Sequence, residues 1–145
     1  MPSADARVLA VIAVGGALGS AARYELGVLW TQPADRMPWT TLLINLVGAL
    51  LLGMLVVAVT EIWRPHRLVR PLLGTGVLGG FTTFSTFALQ LRLLPGTLAF
   101  GYLALSILGG LLAAAAGMAL FRLAAPGLAG AAVHEQIDRG DPDLP

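Results

Sequence analysis

Charged positions divide this chain into long apolar blocks. No Asp, Glu, Lys or Arg occurs from Met37 to Thr60, from Pro71 to Leu91, or from Leu93 to Phe121, and a further apolar run fills Val8 to Ala22. An apolar helix of about 20 residues, rising about 1.5 Å per residue, crosses a hydrocarbon core of about 30 Å. The pattern predicts four membrane-spanning helices at about 7–30, 39–62, 68–93 and 97–124. The turns between them hold Pro33, Asp35, Arg36 and Pro38, then the basic Arg64-Pro65-His66-Arg67, then Pro95-Gly96. Trp39 and Trp63 stand at the two ends of the second span, where interfacial Trp is favoured. The fold class is therefore all-α integral membrane: a four-helix domain over 1–125. The Gly/Pro-rich stretch 126–145 is expected to be a disordered tail.

The third span has an unusual middle. Gly74-Thr75-Gly76-Val77-Leu78-Gly79-Gly80 precedes Phe81-Thr82-Thr83-Phe84-Ser85-Thr86-Phe87. Gly and β-branched Thr are both poor helix formers in water. The cluster predicts a break near mid-membrane, placed over Gly79–Thr82. Unwound backbone survives at that depth only under cover of protein or beside a water-filled cavity. In the first span, Gly15-Gly16-Ala17-Leu18-Gly19-Ser20 supplies the small residues that let helices approach closely in lipid. The spans do not read as two similar halves, which argues against an internally duplicated transporter. Four helices barely enclose a pore, so an oligomer is expected.

Composition reinforces this picture: 57% of residues are hydrophobic, 12% are charged, and mean hydropathy is +0.80. A soluble domain carries about twice that charge fraction. All nine basic residues are Arg, scattered rather than patched, so nucleic acid is not an expected partner. The absence of Cys excludes disulfides and thiolate metal sites. The first apolar run lacks the cleavage site of a secretory signal and reads as a retained span. Arg7, Arg64, Arg67, Arg70, Arg122 and Arg139 fall on the side of the termini, against Arg23, Arg36 and Arg92 opposite. That bias leans toward cytoplasmic termini.

Polar groups inside the spans are the functional candidates, because each costs free energy unless it is partnered. They are Ser20 and Arg23 in the first helix, Asn45 in the second, Thr75, Thr82, Thr83, Ser85, Thr86 and Gln90 in the third, and Tyr102 and Ser106 in the fourth. Nearly all are neutral hydrogen-bond donors. No carboxylate lies between Glu61 and Glu135, which disfavours a cation route and a proton-coupled mechanism. Neutral donors suit an anion or a polar solute. Phe81, Phe84 and Phe87 recur every three residues beside the hydroxyls, and the positive edge of an aromatic ring can hold an anion without a buried full charge.

Plainer readings stand beside these. Asn45 serves equally as glue between helices or as a pore group. A lone Ser or Thr in a membrane helix commonly bonds its own helix carbonyls. The Phe triplet suits packing, the Gly cluster suits close crossing, and Gln90 suits the interface. His66 and His134 lack metal-ligand spacing. No general base accompanies the hydroxyls, so the chain does not read as an enzyme.

Taken together, these residues resemble the Fluc/CrcB family of fluoride channels. The likeness is strongest at Gly79-Gly80-Phe81-Thr82-Thr83-Phe84-Ser85-Thr86-Phe87. It is supported by Gly15 to Tyr24, by Asn45-Leu46-Val47-Gly48 with Gly53, and by Tyr102 and Ser106. The resemblance spans roughly residues 8 to 121. It implies a passive fluoride channel in the bacterial inner membrane, built as an antiparallel, dual-topology homodimer with two pores at the subunit interface. It assigns Asn45, Phe84, Phe87, Ser85, Thr86, Tyr102 and Ser106 to the fluoride pore. It assigns the backbone carbonyls of Gly79 and Thr82 to a structural Na⁺ at the dimer centre. Two positions depart from the family pattern: Gln90 stands where Glu is frequent, and Ala88 where Ser is frequent. The Arg bias fits a paralogous partner subunit as well as a second copy.

A different class, a small proton-coupled multidrug exporter, would require an embedded acid, and only Glu25 could serve. A non-transporting assembly factor would leave the coincidence of Asn45, the hydroxyls and the Phe residues without a purpose.

Overall fold

The computed structural model describes residues 4–62 and 66–138. Trp63, expected at the interface, and Arg64 lie outside the described residues, as does the stretch from 139 onward. Helix α1 (Ala4–Leu29) is followed by α2 (Trp39–Val57), whose end widens into a π-helical turn over Ala58–Ile62. The third span begins with a π-helical stretch, Pro71–Leu78, continues through the single turn α3 (Gly79–Phe81), and resumes after a break as α4 (Phe84–Leu93). Helix α5 covers Gly96–Asp138. Among the described residues, four stretches are long and apolar enough to cross a membrane: Asp5–Leu29, Trp39–Glu61, Pro71–Leu93 and Gly96–Ala125. Their bounds depart from the expected ones by less than a helical turn.

The backbone of α5 runs on to Asp138. One expectation needs correction, and it concerns the break. Gly74, Gly76, Gly79 and Gly80 all remain helical, and the extended residues are Thr82 (φ −76°, ψ 163°) and Thr83 (φ −148°, ψ 122°). The glycines serve packing, and the threonines interrupt the helix.

The chain folds as two crossed pairs. Helix α1 lies along Pro71–Leu78 and α3, and α2 lies along α5; α1 and α2 barely touch. Small residues set both seams, because helices in lipid gain mainly from close packing rather than from hydrophobic burial. In the first seam, a Cβ at Gly15 would lie 2.6 Å from the Leu72 carbonyl oxygen and 3.0 Å from Gly76 Cα. In the second, a Cβ at Gly53 would overlap the Ala114 carbonyl, and one at Gly117 the Leu50 carbonyl. A bidentate ion pair closes this seam at one end: Arg122 Nη2 lies 2.7 Å from Glu61 Oε1, and Nε donates to both carboxylate oxygens at 3.0 and 3.2 Å. Both side chains are partly exposed, so the pair sets register more than stability.

The buried core is small. Leu42, Leu94 and Tyr102 form its centre, with Phe87, Leu91 and Leu46 packed around them. Large apolar side chains such as Leu18, Leu108, Leu111, Leu112 and Leu123 face outward. On a soluble protein that surface would mark an aggregation liability; on four spanning helices it is the lipid-facing coat.

The seam makes a stability prediction. Gly53→Val should lower the unfolding free energy in detergent by about 1–3 kcal/mol or more, the cost of overpacking a closed contact. Gly101→Val, where an added Cβ meets nothing within 4 Å, should leave the thermal midpoint near that of the parent. Equal midpoints for both variants would contradict the packed seam.

Candidate functional site

The site is organised around two extended threonines. At Thr82 and Thr83 the third span leaves the helix, which frees backbone groups that the bilayer cannot solvate. Several of them find a defined partner. Thr83 N–H donates to Asn45 Oδ1 at 2.9 Å, and Asn45 Nδ2 donates back to the Thr83 carbonyl at 3.1 Å. One side-chain amide thus pairs with both polar groups of one residue, as a neighbouring strand would. Thr82 N–H and its hydroxyl both donate to the Leu78 carbonyl, at 3.0 and 3.1 Å. The Gly80 carbonyl accepts from Ser20 Oγ at 3.3 Å and from Arg23 Nε at 3.2 Å. On the far side, Thr83 Oγ1 caps α4 by accepting from Thr86 N–H at 3.2 Å, the role Thr commonly plays at a helix N-terminus.

This bonding leaves two carbonyls without their usual donors. The N–H four residues beyond Gly79 belongs to Thr83 and is committed to Asn45. The N–H four residues beyond Thr82 belongs to Thr86 and is committed to the Thr83 hydroxyl. Carbonyl oxygens are the donor type that a hard monovalent or divalent cation accepts. The described residues contain no group of three or more His, Cys, Asp or Glu that could hold a metal ion.

Two cavities meet at the break. A groove of about 450 Å³ is lined by Asn45, Gly79, Thr82, Phe84, Phe87 and Ser106, among others. A wider cleft of about 700 Å³ lies toward the end of α1 and is lined by Arg23, Arg36, Thr86 and Gln90. Thr83 lines both and forms the partition between them. The groove therefore contains four of the seven predicted pore residues: Asn45, Phe84, Phe87 and Ser106. Ser106 Oγ is buried there without a hydrogen-bond partner, an arrangement costly enough to call for a ligand or water.

The remaining three predicted residues lie elsewhere. Ser85 is exposed, with Oγ 3.3 Å from Thr83 Oγ1. Thr86 Oγ1 accepts from Thr83 Oγ1 at 3.0 Å and lines the wider cleft. Tyr102 lines neither cavity. It is fully buried in the core, and its hydroxyl donates to Gln90 Oε1 at 3.1 Å. Phe87 packs on Tyr102 at a centroid distance of 5.1 Å and on Phe84 at 5.8 Å, both tilted. Phe84 is 79% exposed, so one face of the aromatic pair has no cover within the chain. Phe81 belongs to α3, separated from the other two rings by the break.

Thr83, Ser20 and Arg23 were absent from the predicted site, although all three stood among the intramembrane polar groups. Ser20 and Arg23 are three residues apart and so share a helix face. An Arg within a span must find an acceptor, and that acceptor is the Gly80 carbonyl.

A four-span, multi-pass membrane protein with a neutral, donor-lined groove at a helix break is the class that fold and site define. Residues 10–118 match the family model described as CrcB-like protein, Camphor Resistance (CrcB), and the chain belongs to that family. It is 45% identical over 136 residues to a protein of Nocardia farcinica named Fluoride-specific ion channel FluC 2, covering 91% of this chain and 94% of that one. It is 40% identical over 126 residues to Fluoride-specific ion channel FluC of Rhodospirillum centenum, covering 81% and 98%. It is 50% identical over 88 residues to a Fluoride-specific ion channel FluC 2 of Streptomyces avermitilis, a match spanning 61% of this chain but only 56% of that relative.

The clasp can be tested directly. Asn45→Ala would leave the Thr83 N–H and carbonyl unpaired, a loss of about 1–3 kcal/mol for each group. Amide exchange at Thr83 and along the first turn of α4 should then rise by roughly one to two orders of magnitude, while amides of α2 near Gly53 change little. Unaltered exchange at Thr83 would show that the clasp does not hold the break.

Proposed function

We propose that this protein is a passive, fluoride-selective channel that lets fluoride leave the cytoplasm across the bacterial inner membrane. The observation that carries the reading is the groove. It gathers a polar amide, an unpartnered buried hydroxyl and two aromatic rings, with no carboxylate among them. A small, strongly hydrated anion gives up water only where many donors replace it. Asn45 retains one N–H beyond its bond to Thr83, Ser106 offers its free hydroxyl, and Phe84 and Phe87 offer ring edges. None of these groups titrates near neutrality, so the pathway needs no proton coupling. The relatives' names agree with this ion.

One chain supplies only half of the pathway. The groove is open, and Phe84 stands uncovered at its edge. A second copy or a paralogous subunit, packed antiparallel in the dual-topology sense, would close it and form two pores at the interface. The Gly79 and Thr82 carbonyls fit a structural Na⁺ at the centre of such a dimer, because both have lost their helical donors. The ion would supply positive charge to carbonyls that the bilayer leaves unsolvated. Within the chain, Asn45 fixes the break, Thr83 separates cleft from groove, and Arg23 keeps a cation near the cleft mouth that raises local anion concentration.

Purified protein in liposomes should release fluoride rapidly and retain chloride. Phe84→Ile and Phe87→Ile should each slow fluoride release by roughly tenfold with the oligomer intact by size-exclusion chromatography. Glu25→Gln should leave release unchanged; its abolition would favour the proton-coupled exporter. Failure to release fluoride despite confirmed insertion would reject the channel, unless a co-expressed paralogue restores it.

A further inference from the structure

A third, smaller cavity of about 290 Å³ lies apart from the clasp. It is lined by Leu52, Leu55, Val56 and Val59 of the second span and by Arg70, Gly74 and Thr75 at the start of the third. Its depth can be read from the spans that border it. The second span ends at Glu61 and the third begins at Pro71, so Val59 and Arg70 stand at the membrane boundary. Leu52 and Gly74 lie further in, with Leu52 seven residues from Val59, which at about 1.5 Å per residue is about 10 Å of depth. The cavity is thus a slot running from the interface into the hydrocarbon. Its side walls are Leu and Val, its mouth carries a guanidinium, and no carboxylate pairs with Arg70 among the described residues.

These walls do not suit an extension of the ion route. Apart from Arg70 and Thr75 no lining side chain donates a hydrogen bond, and a bare anion among Leu52, Leu55, Val56 and Val59 would meet nothing to replace its water. An apolar slot with a cation at headgroup depth has the opposite match: an acyl chain below and an anionic phosphate above. We propose that the slot binds an anionic phospholipid of the membrane, with one acyl chain between the second and third spans and the phosphate on Arg70. Arg67, three residues earlier and exposed, lies outside the slot, so it adds only general surface attraction. The slot shares Leu52 and Gly74 with the donor-lined groove. A seated chain therefore touches the residues that wall the groove, which places a lipid contact beside the region argued above to conduct.

The test reads lipid retention and is independent of any ion flux. Protein purified from nanodiscs of equal phosphatidylglycerol and phosphatidylcholine is released into native mass spectrometry, and the bound lipid is identified. The parent protein should retain phosphatidylglycerol in preference to phosphatidylcholine. Arg70→Gln should reduce that preference by about fivefold, the effect of one basic residue at an anionic surface, and Arg67→Gln should not. Gly74→Val gives a second test that does not depend on charge. An added Cβ at Gly74 would meet Leu55 Cδ2 at an ordinary 3.5 Å, so the side chain fits and fills the slot, and total retained lipid should fall. Equal loss from Arg67→Gln and Arg70→Gln would reduce the effect to diffuse electrostatics and overturn the site. Absence of retained lipid in the parent would also overturn it, as expected if a second copy covers the slot.

Discussion

The structure depends on one side-chain amide. A helix that stops inside a bilayer exposes backbone groups that lipid cannot satisfy, and each exposed group costs enough to close the gap again. Asn45 removes that penalty at Thr83 by accepting from its N–H and donating to its carbonyl. With that residue pinned, Thr83 can turn its hydroxyl to cap α4, and the Gly80 carbonyl is left for Ser20 and Arg23. Groups from the first three spans therefore converge on two residues of extended chain. The position of the Phe84 and Phe87 rings follows, because both stand in the first turn of the helix that this cap starts.

Close packing makes the clasp possible. Asn45 reaches Thr83 because the second and third spans lie near one another, with Gly48 of α2 seated against Thr82 and Phe81, and small residues close the flanking seams. Gly15 brings α1 against the π-helical stretch, while Gly53 and Gly117 bring α2 against α5. These contacts substitute for the hydrophobic driving force that a soluble core would have, since lipid is as apolar as Leu. The small buried centre of Leu42, Leu94 and Tyr102 then fixes the tilt of α4 against α5 through Phe87.

Much of this was legible in the order of residues. The charge-free blocks located all four spans, because bilayer thickness imposes a length that no soluble context demands. Several of the intramembrane polar residues gather at the helix break, because few are tolerated without a partner. The partnerships themselves were not legible. Asn45 and Thr83 are 38 residues apart, and nothing local says which backbone the amide will meet. The break was misplaced toward the glycines for a related reason. Gly is a poor helix former in water, but within a membrane the helix has no competing solvent, so Gly74 to Gly80 stay wound and only the capped threonines unwind. The family resemblance assigned Tyr102 to the pore; its ring is buried in the core of one chain, and its hydroxyl bonds Gln90, which lines the cleft.

The α2–α5 seam also imposes an order on biosynthesis. Arg122 follows its partner Glu61 by 61 residues, and the π-helical stretch Pro71–Leu78, α3 and α4 are made in between. When α2 enters the membrane, the helix it will pack against does not yet exist. The face around Gly53 must meet lipid until the last span emerges, whereas Gly48 and α1 already find their contacts on the third span. The clasp of Asn45 on Thr83 can form at that stage and hold α2 in place while α5 is still being made. Completion of the fold then waits on the C-terminal span, whose glycine at 117 and arginine at 122 close the seam together.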